Sequence, residues 1–185
     1  MLTKEKTLVL IKPDGVQRKI VGEIISRFER VGLEIIGLKM VKVNEELAFK
    51  HYGYNEEWFE KVGKKVKEFY EQVGFDPGEE FNKLSLKEIG KLVQKWNVDF
   101  LTEGKVIAMV LKGYHAVEIV RKMVGDTYPH RAAPGTIRGD YALESPLVAN
   151  VSKRSVRNII HASGSVEEAN LEIQLWFKNN EIFSE

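Results

Sequence analysis

The chain has 185 residues, 43% of them hydrophobic and 30% charged, with a formal net charge of +1. That supports one core of its own and gives no global attraction to nucleic acid or to an anionic membrane. There is no cysteine, which excludes disulfides, thiolate metal sites and cysteine catalysis. No apolar run approaches the ~18 residues of a membrane span, and Met1 to Lys6 runs into a strand without a signal peptide. The cytoplasm is the expected compartment.

In chain order, residues 6–12 (KTLVLIK) predict a buried strand, broken by a turn at Pro13-Asp14-Gly15 in which the glycine is free to take positive φ. Val21, Ile24, Ile25, Phe28 and Val31 share one helical face, and Gly32 ends that helix. Leu33 to Val43 predicts a second strand whose apolar parity switches near Met40, as at a bulge. Asn44 can cap a short helix over Glu45 to His51 that delivers Tyr52.

Residues 55–103 predict two amphipathic helices interrupted at Asp76-Pro77-Gly78, with Val62, Val66, Phe69 and Val73 on one face and Ile89, Val93, Trp96 and Phe100 on the other. Eight Lys against eleven Asp/Glu leave this segment at −3. It carries no recognisable chemistry and reads as a structural insertion, about 55–99, in a single domain spanning 1–185.

Residues 105–112 (KVIAMVLK) predict a central strand, and 114–124 a helix on Val117, Val120 and Val124. From Gly125 to Val151 periodicity disappears, and so long a loop in a compact domain points to a working segment. A helical turn is expected at Ser152–Val156, a last strand near Ile159–Ser163, and a capping box at Ser165-Val166-Glu167-Glu168 opening the final helix. The order of elements is the split βαβ order. It predicts an α+β fold, a four-stranded antiparallel sheet with helices on one face.

From Thr127 to His161 five Lys/Arg face two acidic residues, a local +3 on a nearly neutral chain. The glycines of Pro134-Gly135-Thr136-Ile137-Arg138-Gly139-Asp140 admit a ligand close to the backbone, and Arg138 offers a bidentate fork. Lys12, at the end of the first strand, is either a solvated turn residue or a rigidly held point charge for phosphate. His161 follows two isoleucines where buried chain meets solvent. A neutral imidazole there is a candidate nucleophile, and Glu172 on the next helix could orient it. In a straight strand Asn158 and His161 point to opposite faces, so they share a site only if the strand begins after Asn158. The four histidines (His51, His115, His130, His161) show no paired metal-ligand spacing, and there is no P-loop or dinucleotide fingerprint.

Together, Thr7 to Arg18 (TLVLIKPDGVQR), Gly22 to Phe28, His51-Tyr52, Arg121 to Pro129, Pro134 to Asp140 (PGTIRGD), Arg157 to Ser165 (RNIIHASGS) and Glu172 to Phe177 resemble the nucleoside diphosphate kinase family. The resemblance implies a ferredoxin-like α/β sandwich and transfer of a γ-phosphoryl group, mainly from ATP, to a nucleoside diphosphate. The transfer would be ping-pong, through a phosphohistidine at His161. Glu172 would hold the far ring nitrogen and Ser163 would bond Glu172. Lys12, Tyr52, Arg121, Thr127, Arg138 and Asn158 would bind the nucleotide, with Lys12 and Asn158 on the sugar hydroxyls and the arginines and Thr127 on phosphates. Mg²⁺ would ride on the phosphates. The base would pack where the family places a stacking Phe, a position for which Trp58, Phe59 and Val93 are the candidates here. Gly164 departs from the family, which usually has an Asp linked indirectly to the metal. A homo-oligomer, hexamer or tetramer, is implied, with no membrane and no specific nucleic-acid partner. The alternatives are a non-catalytic nucleotide-binding regulatory homologue of the same fold and a hydrolase that discharges the phosphohistidine to water.

Overall fold

The computed structural model describes residues 3–53 and 55–183. Four strands, β1 (Glu5–Ile11), β2 (Glu34–Lys42), β3 (Lys105–Gly113) and β4 (Ile160–Ala162), form one sheet in the order β2-β3-β1-β4. Every neighbouring pair is antiparallel. The helices are α1 (Pro13–Gln17), α2 (Val21–Arg30), α3 (Glu45–His51), α4 (Glu56–Val73), α5 (Glu79–Asn82), α6 (Leu86–Thr102), α7 (Ala116–Val124), α8 (Ile137–Tyr141), α9 (Pro146–Val151) and α10 (Val166–Trp176).

Helices cover both faces of the sheet, not one. Val9 and Ile11 of β1 pack with Ile24, Phe28 and Val120 of α2 and α7. Leu8 and Leu10 pack on the opposite side with Val98, Leu101, Ile173 and Trp176 of α6 and α10. All four β1 residues are fully buried. Their unbroken apolar run is the signature of a strand covered on both sides, and the helices inserted before β3 supply part of the second cover.

Several local expectations are revised. Pro13-Asp14-Gly15 is the first turn of α1 rather than an open turn, and proline suits that first helical position. Gly15 does not have positive φ. It is needed because a Cβ there would meet Ile11 Cγ2 at 2.8 Å and Ile159 Cγ2 at 3.1 Å. The register shift of β2 falls between Ile35 and Gly37, not near Met40. It turns Ile36 inward while Leu38 and Met40 stay on the exposed side, at 51% and 58% exposure. The loop after residue 125 contains a 3₁₀ turn at Pro129–Arg131 and the short helices α8 and α9. Such one-turn elements are too short to show a period. Helix α9 lies before the expected turn at Ser152–Val156. It starts at the Ser145 cap, whose hydroxyl accepts from Val148 N, with Pro146 following.

Helices α4 and α6 pack as a hairpin in very close contact. A Cβ on Gly63 would lie 1.9 Å from the Leu86 carbonyl oxygen, and one on Gly90 2.3 Å from that of Phe59. Val66, Tyr70, Phe81 and Ile89 give the hairpin its own small core. The side chain of Gln94 donates to Tyr52 O at 2.9 Å, which ties α6 to the end of α3.

Candidate active site

The floor of the site lies where the C-terminal end of β1 meets the approach to β4. Ile159 has φ +69°, a rare conformation for a β-branched residue. The Ile160 N–H returns to Asn158 O at 2.7 Å, closing a three-residue turn. The neighbours hold it in place. Ile159 O accepts from Lys12 N at 2.7 Å, and Ile159 N donates to Asp14 Oδ2 at 3.0 Å. Strand β4 begins only after this turn, so Asn158 and His161 share one cleft.

Lys12 is not a solvated turn residue; it is 8% exposed. Its ammonium donates to Asn158 Oδ1 at 2.8 Å and lies over the Phe100 ring. Burial, then Arg138, pushes its pKa down to about 8, with Asp14 opposing. Asn158 in turn donates through Nδ2 to Thr127 O at 2.9 Å.

Arg138, on α8, is equally buried. It donates from Nε to Asn158 O at 3.2 Å, from Nη1 to Gly125 O at 2.9 Å and from Nη2 to Ile160 O at 2.6 Å. Three of the five guanidinium N–H groups are thus engaged by backbone, leaving two for a ligand. Burial and Arg121 lower its pKa to about 10. Other cations of the basic stretch are neutralised. Arg157 makes a bidentate pair with Glu103 at 2.6 and 3.0 Å, and Arg154 one with Glu144 at 2.8 and 2.7 Å.

His161 on β4 is held from behind. Its Nε2 lies 2.8 Å from Glu172 Oε1, and Ser163 Oγ donates to Glu172 Oε2 at 2.6 Å. Ser163 is itself fixed against β1, since Leu8 N donates to its hydroxyl at 3.2 Å. With Nε2 engaged, Nδ1 is the nitrogen left for a ligand. Burial first, then Lys12, drives the His161 pKa down to about 3; Glu168 opposes, and Arg138 and Arg121 add to the fall. The ring is therefore neutral at ordinary pH, as a nucleophile requires. Burial raises the Glu172 pKa, against His51 and the Ser163 hydrogen bond.

His161 opens into a cleft of about 800 Å³. All six nucleotide-site candidates line it: Lys12, Tyr52, Arg121, Thr127, Arg138 and Asn158. The hairpin, for which no role in chemistry was expected, forms the facing wall through Trp58, Val62, Phe69, Val93 and Trp96. Of the three stacking candidates, Trp58 and Val93 reach the cleft, whereas Phe59 is buried beneath Trp58 with ring centroids 5.7 Å apart.

Two participants escaped the sequence reading. Asp14, 6% exposed, accepts from Ile159 N and Gly15 N and so fixes the strained turn. His51, seen only as a neighbour of Tyr52, stands edge-on to His161 with centroids 4.6 Å apart. The only available signal was their place inside the KPDG and His-Tyr stretches. His51, His161 and Glu172 put three donor atoms within 4.8 Å, a meeting of two histidines that their sequence spacing does not disclose. The 2.8 Å contact between His161 and Glu172 is already a closed hydrogen bond, and His51 Nδ1 stands 3.5 Å from the same carboxylate oxygen. The capping box is also displaced. Glu168 N donates to Ser165 Oγ, but the Glu168 carboxylate takes the Gly164 N–H at 2.8 Å. A Cβ on Gly164 would come within 2.5 Å of that carboxylate; the acidic group in this corner comes from Glu168.

A neutral, carboxylate-held imidazole facing buried cations at the end of an antiparallel sheet is the site of a phosphotransferase. The comparisons agree. The family model described as nucleoside diphosphate kinase matches residues 5–73 and 79–182. A nucleoside diphosphate kinase from Pyrobaculum aerophilum is 48% identical over 178 residues, covering 96% of this chain and 97% of that protein. One from Methanocaldococcus jannaschii is 42% identical, covering 97% and 98%. The crystal structure of an NDP kinase from Pyrobaculum aerophilum superposes with a TM-score of 0.93 at 46% identity, covering 98% of this chain and all of that one. A transition-state mimic of the Borrelia burgdorferi nucleoside-diphosphate kinase, with bound vanadate and ADP, gives 0.79 at 36% identity, covering 100% and 94%. The chain belongs to the nucleoside diphosphate kinase family. It is an enzyme of phosphoryl transfer between nucleotides.

Proposed function

We propose that the chain passes the γ-phosphoryl of a nucleoside triphosphate, mainly ATP, to a nucleoside diphosphate by way of His161. The observation that carries this is the fixed direction of the imidazole: Nε2 is tied to Glu172 and Nδ1 is left toward Lys12, Arg121 and Arg138. In the first half-reaction the Nδ1 lone pair forms a bond to phosphorus as the bond to the bridging oxygen breaks. The nucleoside diphosphate leaves with that electron pair, and the proton on Nε2 stays against Glu172. The second nucleoside diphosphate reverses the sequence. Such transfer gains mainly from positioning and charge neutralisation. Lys12 and Asn158 are assigned to the sugar hydroxyls, Arg121, Thr127 and Arg138 to phosphates, Tyr52 to the cleft wall and Trp58 to the base.

Among the described residues lining the cleft only Glu68 and Glu168 carry carboxylates, too few for an all-protein cage of a hard cation. They suit a Mg²⁺ that would arrive on the nucleotide and would neutralise phosphate charge there, with Glu168 a cleft carboxylate that could help hold it. We further infer a single domain over 1–185 with an accessory hairpin at about 55–99, in a cytoplasmic homo-oligomer, hexamer or tetramer. The exposed Leu38 and Met40 on the edge strand β2 support association. No described helix is long and apolar enough to cross a membrane.

The test is incubation with Mg²⁺ and γ-labelled ATP. Acid-labile, alkali-stable label on the protein that chases into GTP on addition of GDP is the expected result. Label that decays only to free phosphate would indicate a hydrolase, and no label would overturn the role of His161.

A further inference from the structure

Behind His161 lies a buried imidazole with no part in the mechanism so far. His51 ends α3, and its side chain is 1% exposed. It packs edge-on against His161 and against Trp176, with centroids 4.6 and 5.5 Å away. The Trp176 indole N–H, a group that can only donate, points at His51 Nδ1 at 3.3 Å. That contact fixes the tautomer. Nδ1 keeps its lone pair and the ring proton sits on Nε2, which is buried and has no hydrogen-bond partner. Unpaired buried donors are rare, so this ring is held in place by something other than its own bonding.

His51 Nδ1 lies 3.5 Å from Glu172 Oε1, the same oxygen that holds His161 Nε2 at 2.8 Å. With its lone pair taken by the Trp176 N–H, Nδ1 offers Oε1 no proton, so no second donor competes with His161 Nε2 for that oxygen, while the other carboxylate oxygen is anchored by Ser163. The groups acting on His51 are Glu172 of α10, His161 of β4 and Lys12 at the end of β1, with Tyr52 adjoining. Burial first, then His161, with Lys12 adding to the fall, lowers its pKa to about 3 against Glu172, so Nδ1 stays unprotonated at working pH.

We propose that His51 is a positioning residue for phosphoryl transfer, its Trp176-locked Nδ1 confining Glu172 to the far nitrogen of His161 and so keeping His161 Nδ1 aimed at the phosphate. The proposal rests on His161 being the nucleophile.

The experiment uses the full chain with His51→Phe and His51→Asn. Single-turnover labelling by γ-labelled ATP is followed across about pH 5 to 9, with nucleotide KM and the His161 tautomer read by nitrogen NMR. The Phe variant is expected to label about tenfold more slowly, with unchanged KM and a mixed His161 tautomer. The Asn variant, whose carbonyl oxygen can take the Trp176 N–H, should recover most of the rate and the single tautomer. Wild-type labelling in the Phe variant overturns the proposal, as does equal loss in both variants with the tautomer unaltered, which would mean packing alone. If the Phe variant fails to fold, Trp176→Phe removes the tautomer lock and keeps a ring. A slowed rate with a mixed tautomer there supports the proposal, and wild-type behaviour overturns it. A wild-type enzyme that never labels His161 would instead sink the nucleophile assignment itself.

Discussion

The two sides of the cleft are built differently. The floor, from Lys12 through Asn158 and Arg138 to His161, is a buried net of side chains bonded to one another and to backbone carbonyls. The wall is a pair of helices, of which α6 packs Val98 and Leu101 on the sheet, and few polar bonds tie it to the body: Gln94 donates to Tyr52 O, Tyr70 to Asn150 O, Ser155 to Asn97 and Arg157 to Glu103. Rigid floors hold reacting atoms within the small tolerances that transfer demands. A wall of Trp58, Val62 and Val93 offers area without direction, which suits a base that is covered rather than read. On the proposed function, chemistry belongs to the sheet end and affinity to the hairpin.

The largest expected effect tests the floor. His161→Ala should lower turnover by about 10³-fold or more while nucleotide still binds. Steady-state rates and a direct binding titration check both halves, and a variant with most of its turnover would remove the distinction. Next, Glu172→Gln keeps the shape but loses the carboxylate, and should lower kcat by about 10²-fold with little change in KM. On the wall, Trp58→Ala should do the opposite. A base stack is worth about 1–3 kcal/mol, so KM should rise about tenfold at constant kcat. A kcat loss in that variant would put the hairpin inside the chemistry. The mildest test is pH. His51 and His161 have folded pKa values near 3 against 6.5 for the free side chain. The folded protein thus binds fewer protons than the unfolded chain between those values. The stability they contribute is complete above pH 6.5 and declines as pH falls toward 3. Urea midpoints measured down that range should drop, and His51→Phe should flatten the slope. Lys12 works at the other end: in the free enzyme its charge, and nucleotide affinity with it, should fade above a pH of about 8.

Much of this was legible in the chain and some was not. Strands and long helices follow from unbroken apolar runs and three-four spacing, and the burial of β1 was already implicit in TLVLI. The site residues were legible as a set because KPDGVQR, PGTIRGD and RNIIHAS occur together. What the pattern could not convey was direction. An amphipathic stripe says that a helix face is covered, not by what, so the hairpin read as an accessory although its face borders the cleft. Strand parity separated Asn158 from His161, because no propensity predicts an isoleucine at φ +69°. That turn exists through Asp14 and Lys12, more than a hundred residues upstream, and only the assembled sheet supplies them. The partnership of His51 with Glu172 is invisible for the same reason.

The depressed pKa of His161 changes what an acid limb in the rate profile can mean. Burial, with Lys12, Arg138 and Arg121, opposes protonation of the His161 imidazole, so an acid limb in mildly acidic buffer is expected from another group. The terminal phosphate of the incoming nucleotide, a monoester-like dianion with a second pKa near ~6, becomes the species that titrates there. Acid inhibition should then follow the identity of the substrate, moving when a less basic phosphate analogue replaces the natural one and standing still when residues of the protein are changed. Acid inhibition that moved with the nucleotide in this way would mean that the titrating proton is carried in by the substrate.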